Sequence, residues 1–170
     1  MAEPVTLQTI LTYLTLISVP VGIVYYIMTL RNTRKNQELQ LETRQAQMFY
    51  GIYNRMSQAD FIEAWNAFES WDFTDYDDNM KRFSDEQSLR YSRTLGVYFE
   101  GLGVLVRLGL VPIHYVAYFI TGMTRTYWEK QASFTEEFRE RMNVPRSFSE
   151  VEYMYKELMR YLEEHPELKT

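Results

Sequence analysis

Uncharged side chains run unbroken over residues 5–30, VTLQTILTYLTLISVPVGIVYYIMTL, and the next five residues, RNTRK, bring three positive charges. A helix rises about 1.5 Å per residue, so about 20 residues cross a bilayer core of about 30 Å. Residues 10–30 alone meet that length. No Lys or Arg precedes Arg31, and no small-residue cleavage pattern follows the run, so it reads as a retained span rather than a signal peptide. The basic flank of Arg31, Arg34 and Lys35 faces only Glu3 on the other side. The positive-inside rule then puts the N-terminus outside and residues 31–170 in the cytoplasm, with Tyr25 and Tyr26 in the interfacial belt. The expected location is a cell inner membrane, crossed once.

The span has a distinct face. Gln8, Thr12, Thr15, Val19, Gly22 and Tyr26 follow one another in steps of four and three. Small and polar residues on one side of a membrane helix allow close helix approach and interhelical hydrogen bonds, so Gln8, Thr12, Thr15 and Gly22 are the candidate partner-facing positions. The competing use of the Thr hydroxyls is to bond back to their own helix. Pro20 is a candidate kink.

Beyond the span, the hydrophobic pattern stays helical. Residues 32–47 are polar helix formers and extend the span as a stalk. Met48, Phe49, Ile52, Tyr53 and Met56 form the next apolar stripe, and Ser57 can cap a helix with Phe61, Ile62, Trp65 and Phe68 on one face. Residues 71–83 are acidic and irregular and read as a loop. Ser84 with Gln87 forms a capping box for a helix reaching Leu108, closed by Gly109, and Pro112 opens its successor. That successor pauses at Thr121-Gly122. A longer helix continues to Met142, burying Tyr127, Trp128, Phe134 and Phe138, and Asn143-Val144-Pro145 ends it. Ser149 with Glu152 suggests another capping box, followed by the stripe Val151, Met154, Tyr155, Leu158, Leu162 and a stop at His165-Pro166. No segment alternates with period two. The expected fold is all-α: residues 1–30 an anchor, 31–47 a helical stalk, and 48–170 a cytoplasmic bundle of about five helices. Residues 94–121 are too interrupted for a second span, because they carry Glu100, Arg107 and His114 and contain Gly109 and Pro112. A charge at membrane centre costs at least about 2.5 kcal/mol.

Charge narrows the function. All 18 Lys and Arg lie after residue 30 with 22 of the 23 Asp and Glu, leaving that part at −4. Sequence-independent nucleic-acid binding needs a basic face, so no nucleic-acid partner is expected. The chain has no cysteine, which excludes disulfides, thiolate nucleophiles and Cys metal sites. Aromatic residues make up 16% of the chain, which argues for a packed domain rather than a disordered tail.

Several runs together are familiar: Trp65, then Trp71-Asp72-Phe73, then YFEGLGVLVRLGLV at 98–111, then Tyr127-Trp128-Glu129. Arg139 and Arg141 stand ahead of Pro145, and a terminal helix carries Glu152-Tyr153. With one N-terminal span, this order resembles a group of small, uncharacterised prokaryotic membrane-anchored helical proteins classed as a domain of unknown function. The resemblance covers most of the chain, and its most specific element is Phe-Glu-Gly-Leu-Gly-Val-Leu. It implies a cytoplasmic helical domain and no known activity, cofactor or catalytic residue.

Three constellations could carry chemistry. Arg93, Gly96, Glu100, Gly103 and Arg107 lie on one helical line, a polar seam in which the glycines admit a neighbouring helix and Glu100 meets its cations. The seam either receives a partner or ligand or holds the fold together, and Glu100→Gln is expected to lower stability. Asp75, Asp77, Asn79 and Glu86 occupy positions 1, 3, 5 and 12 of a calcium loop, but Met80 stands where that loop needs Gly. Arg31, Arg34 and Lys35 can touch anionic headgroups. Enzymatic parts are scarce: His114 and His165 are the two histidines, and no phosphate loop or paired-His motif occurs. The expectation is a non-enzyme without a cofactor. It would be an interaction or accessory-subunit protein that meets the lipid bilayer and another membrane subunit, or a second copy, through its membrane helix. The alternative is a tethered ligand or ion sensor using the acidic loop 72–86 or the Glu100 seam.

Overall fold

A computed structural model describes residues 6–168; Glu3 and Val5 of the N-terminal flank lie outside the described residues. Seven α-helices occur there, with no strand: α1 Leu7–Met56, α2 Ala59–Ser70, α3 Tyr76–Arg82, α4 Glu86–Arg107, α5 Ile113–Phe119, α6 Thr121–Met142 and α7 Ser149–Glu164, followed by a 3-10 turn at Pro166–Leu168. The fold is all-α. Contacts divide the chain into two compact units, one ending at Ala46 and one beginning at Gln47.

In the first unit α1 runs through Pro20 without interruption. Every described side chain from Thr6 to Arg44 is exposed. This is the one helix among the described residues long and apolar enough to cross a membrane. Three of its threonine hydroxyls turn inward on their own backbone: Thr12 donates to the Gln8 carbonyl at 2.8 Å, Thr15 to Leu11 at 2.9 Å and Thr29 to Tyr25 at 2.9 Å.

The second unit is built around α4, which packs against α2 and α7. Its apolar face supplies Leu95, Phe99, Leu102 and Val106, all buried. From α2 come Phe61, Ala64 and Phe68, and from α7 come Val151, Met154, Leu158 and Leu162. The 3.6-residue period puts each of these sets on one side of its helix. Aromatic rings knit the middle. Phe99 stacks on Tyr127 of α6 with centroids 4.1 Å apart, and Phe68 lies 5.1 Å from the same ring. Such pairs add about 0.5–1.5 kcal/mol each beyond area burial. The last turns of α1 belong to this unit: Met48, Ile52 and Met56 pack on its core, and Phe49 lies edge-on to Phe119 at 5.0 Å.

Helix ends follow local chemistry. After α4, Gly109 adopts φ +69°, the left-handed conformation that an L side chain resists. The Leu110 N–H then reaches back to the Leu105 carbonyl at 2.9 Å and the Gly109 N–H to Val106 at 2.9 Å, the Schellman pattern. Asn143, at φ 53°, closes α6 similarly.

Several expectations are corrected. The supposed loop 71–83 contains α3, because the Asp75 carboxylate caps it by accepting from the Asp78 N–H at 2.9 Å, while Tyr76 and Asn79 are buried. Ser84 caps nothing; its hydroxyl donates to Lys81, and Asp85 caps α4 by accepting from the Ser88 N–H at 2.8 Å. Ser57 donates to the Tyr53 carbonyl instead of capping α2. Ile62 is exposed, and Ala64 takes the buried position on α2. Ser149 is the first residue within α7, and the capping acceptor comes from another helix.

Candidate functional site

Gly103 marks where α4 and α7 touch. A Cβ there would stand 2.3 Å from the Glu150 carbonyl oxygen, so only glycine lets the first turn of α7 lie against α4. One turn earlier, Glu100 presents its carboxylate to that turn. Its Oε2 accepts from the N–H groups of Glu150 and Val151, both at 2.8 Å. These are the second and third residues of α7, whose N–H groups have no partner inside the helix. Phe148, at the cap position with φ 56°, offers no side-chain acceptor, so Glu100 supplies from fifty residues away what a capping Ser or Asp supplies locally. The helix dipole favours a negative charge there. Burial pushes the Glu100 carboxyl above its ordinary pKa, and the two N–H donors only partly offset that.

Other cations and rings close the junction. The Phe148 ring sits over Gly96, where a Cβ would be 3.3 Å from its Cε1. Arg107 pairs with Glu150 and lies 3.9 Å from the Tyr153 ring centroid. That pairing holds the Glu150 carboxyl below its usual range. Arg139 donates from Nε to the Ser147 carbonyl at 2.7 Å and pairs with Glu152 at 2.8 Å. The seam therefore receives α7. Glu100 meets backbone N–H groups rather than a cation in a direct bond, while Gly96, Glu100, Gly103 and Arg107 converge there. Arg93 does not join them; it is exposed and lines a separate groove.

The calcium candidate is overturned by the same local geometry. Asp75 is committed to capping α3. Asn79 is buried, donates to the Asp75 carbonyl at 2.6 Å and accepts from Arg82. Asp77 reaches Arg141 at 3.2 Å, and Glu86 opens α4. A helix has replaced the loop that would wrap an ion. No group of three or more His, Asp or Glu suited to a metal occurs among the described residues.

On α1, Thr12 and Thr15 flank a notch completed by Leu16, Val19 and Pro20. Pro20 has no N–H, so the Leu16 carbonyl lacks its usual donor four residues on. Gly22 has open space at its Cβ position, and Gln8 is exposed. Arg31, Arg34 and Lys35 are likewise exposed.

A family described as a domain of unknown function (DUF4760) matches residues 13–158. The chain belongs to the DUF4760 family. No match was found among curated proteins or among solved structures. The DUF4760 region begins inside the apolar run and ends within α7, so residues 13–30 of the run and the helical unit as far as Leu158 lie in one family segment. It contains Thr15, Gly22 and the whole Glu100 junction, and leaves Gln8, Thr12 and His165 outside.

Sequence reasoning missed Arg139 as the brace of the 143–148 turn, and Arg55 as the partner of Asp60, held through two hydrogen bonds of 2.7 and 2.8 Å. The short spacing from Arg55 to Asp60 was a usable signal for the second; nothing local marks the first.

Proposed function

We propose that this DUF4760 protein is a non-catalytic, single-pass accessory protein. It docks onto another membrane protein through the face of α1 carrying Gln8, Thr12, Thr15 and Gly22, with its C-terminal helical domain in the cytoplasm and the bilayer being the inner membrane. The observation that carries this reading is the first half of α1: charge-free to Leu30, exposed on all sides, and left by Pro20 with one carbonyl short of a donor. In hydrocarbon an unsatisfied carbonyl is costly, and a neighbouring helix supplies the remedy. The polar groups of the domain support the same reading, since Glu100, Arg107 and Arg139 each tie one helix to another and Asp75 is engaged in capping α3. Arg31, Arg34 and Lys35 would steady the cytoplasmic end against anionic headgroups, at about 1 kcal/mol each. Purification of the full chain from membranes in mild detergent tests the proposal. It should carry along a stoichiometric membrane subunit or a second copy; a strictly monomeric particle with no partner sinks it.

A further inference from the structure

The chain carries a net charge of −5, yet one groove gathers arginines. It lies between the end of α1 and the first half of α4, is open to solvent, has a volume of about 640 Å³, and is lined by Arg55, Arg90, Arg93, Leu89, Val97 and Tyr98 among others. Most arginines of the helical unit are neutralised: Arg55, Arg107, Arg125, Arg139, Arg141 and Arg160 all pair with carboxylates. Arg90 and Arg93 make no ion pair among the described residues. Three residues apart on α4, they are neighbours on the helix surface. Arg55 faces the same space, its guanidinium held by Asp60 and Gln58. Among the described residues Glu86 is the one carboxylate lining the groove. Tyr98, from the groove wall, keeps a buried hydroxyl with no hydrogen-bond partner among the described residues.

We propose that this groove binds a phosphate-bearing ligand, with Arg90 and Arg93 gripping the phosphoryl oxygens and Leu89 and Val97 receiving an apolar portion. Two arginines three residues apart on one helix, neither with a carboxylate partner among the described residues, match a dianion, and the planar fork of Arg suits phosphate bidentately. Like-charged neighbours also repel at this spacing, so an anion between them relieves that repulsion. The phosphoryl group could belong to a soluble molecule or to a lipid headgroup, which the test separates.

The full chain in neutral detergent micelles is titrated calorimetrically with sodium pyrophosphate, and separately with dioctanoyl phosphatidylglycerol. Binding of either probe is expected, weakened at least tenfold in Arg93→Ala and in Arg90→Ala, unchanged in Arg125→Ala, and tightened in Glu86→Gln. Both arginines are exposed, so the variants should melt as wild type does, which a thermal scan checks. Pyrophosphate binding alone assigns a soluble ligand, and lipid binding alone assigns a headgroup. Absence of heat with both probes, or equal binding by wild type and Arg93→Ala, overturns the proposal.

Discussion

Replacing Glu100 with alanine removes the acceptor for two N–H groups at the start of α7, which lie 2.8 Å from one carboxylate oxygen. Loss of an ordinary capping side chain costs about 0.5–2 kcal/mol, and hydrogen bonds to a charged group contribute about 1.5–3 kcal/mol. Burial of the carboxylate works against these gains, as the upward shift of its pKa records. The net loss should be about 2 kcal/mol, near the top of the capping range. In a unit of this size about 4 °C of melting temperature corresponds to 1 kcal/mol, so Glu100→Ala should melt about 8 °C below wild type. Glu100→Gln keeps one neutral acceptor and should fall by less than the alanine variant. Near-UV circular dichroism of the full chain in mild detergent reads both. The pH dependence carries a sign. A carboxyl whose folded pKa is raised binds its proton more tightly in the folded state, so its contribution to stability declines as pH rises from its ordinary value through the folded one. Wild type should therefore gain on Glu100→Gln as pH is lowered from 7 into that window. An alanine variant melting within 1 °C of wild type (about 0.25 kcal/mol on the same scale) would refute the capping role.

Further expectations concern other positions. Gly103→Ala should destabilise by about 1–3 kcal/mol because its Cβ collides with backbone, whereas Gly101→Ala, with open space, should stabilise by up to about 1 kcal/mol; urea melts of the pair check this. Calcium titrated calorimetrically into the protein should give no heat above buffer, since Asp75 and Asn79 are engaged within α3; saturable binding abolished by Asp75→Asn would revive the ion site. The chain lacks cysteine, so single cysteines at positions 3 and 140 can map topology. In intact cells an impermeant thiol reagent should label the first and spare the second.

Much of the fold was legible because it rests on local signals. The period of apolar residues marks α2, α4, α6 and α7, and Gly109 and Asn143 end helices for conformational reasons read from single residues. The paired glycines of α4 also announced a close neighbour. What could not be read was the identity of the contact made there. Glu100 bonds to backbone N–H groups fifty residues away, and no side-chain pattern encodes an orphan donor. The α3 segment was missed for the opposite reason. Its acidic residues resembled ligands, while the burial of Tyr76 and Asn79, which makes the helix worthwhile, depends on packing with α6. Serines before helices misled similarly, because Ser57 and Ser84 satisfy the preceding turn instead of the following one.

The most direct measurement is native mass spectrometry of the particle released from membranes in mild detergent, for wild type and for a variant carrying Thr12→Leu, Thr15→Leu and Gly22→Leu. Those three positions are exposed on α1, so the helical unit should fold unchanged. Wild type should appear with a partner subunit or a second copy, and the variant as a monomer with an unaltered melting curve. A wild-type monomer, or a variant that keeps its partner, would contradict docking through this face.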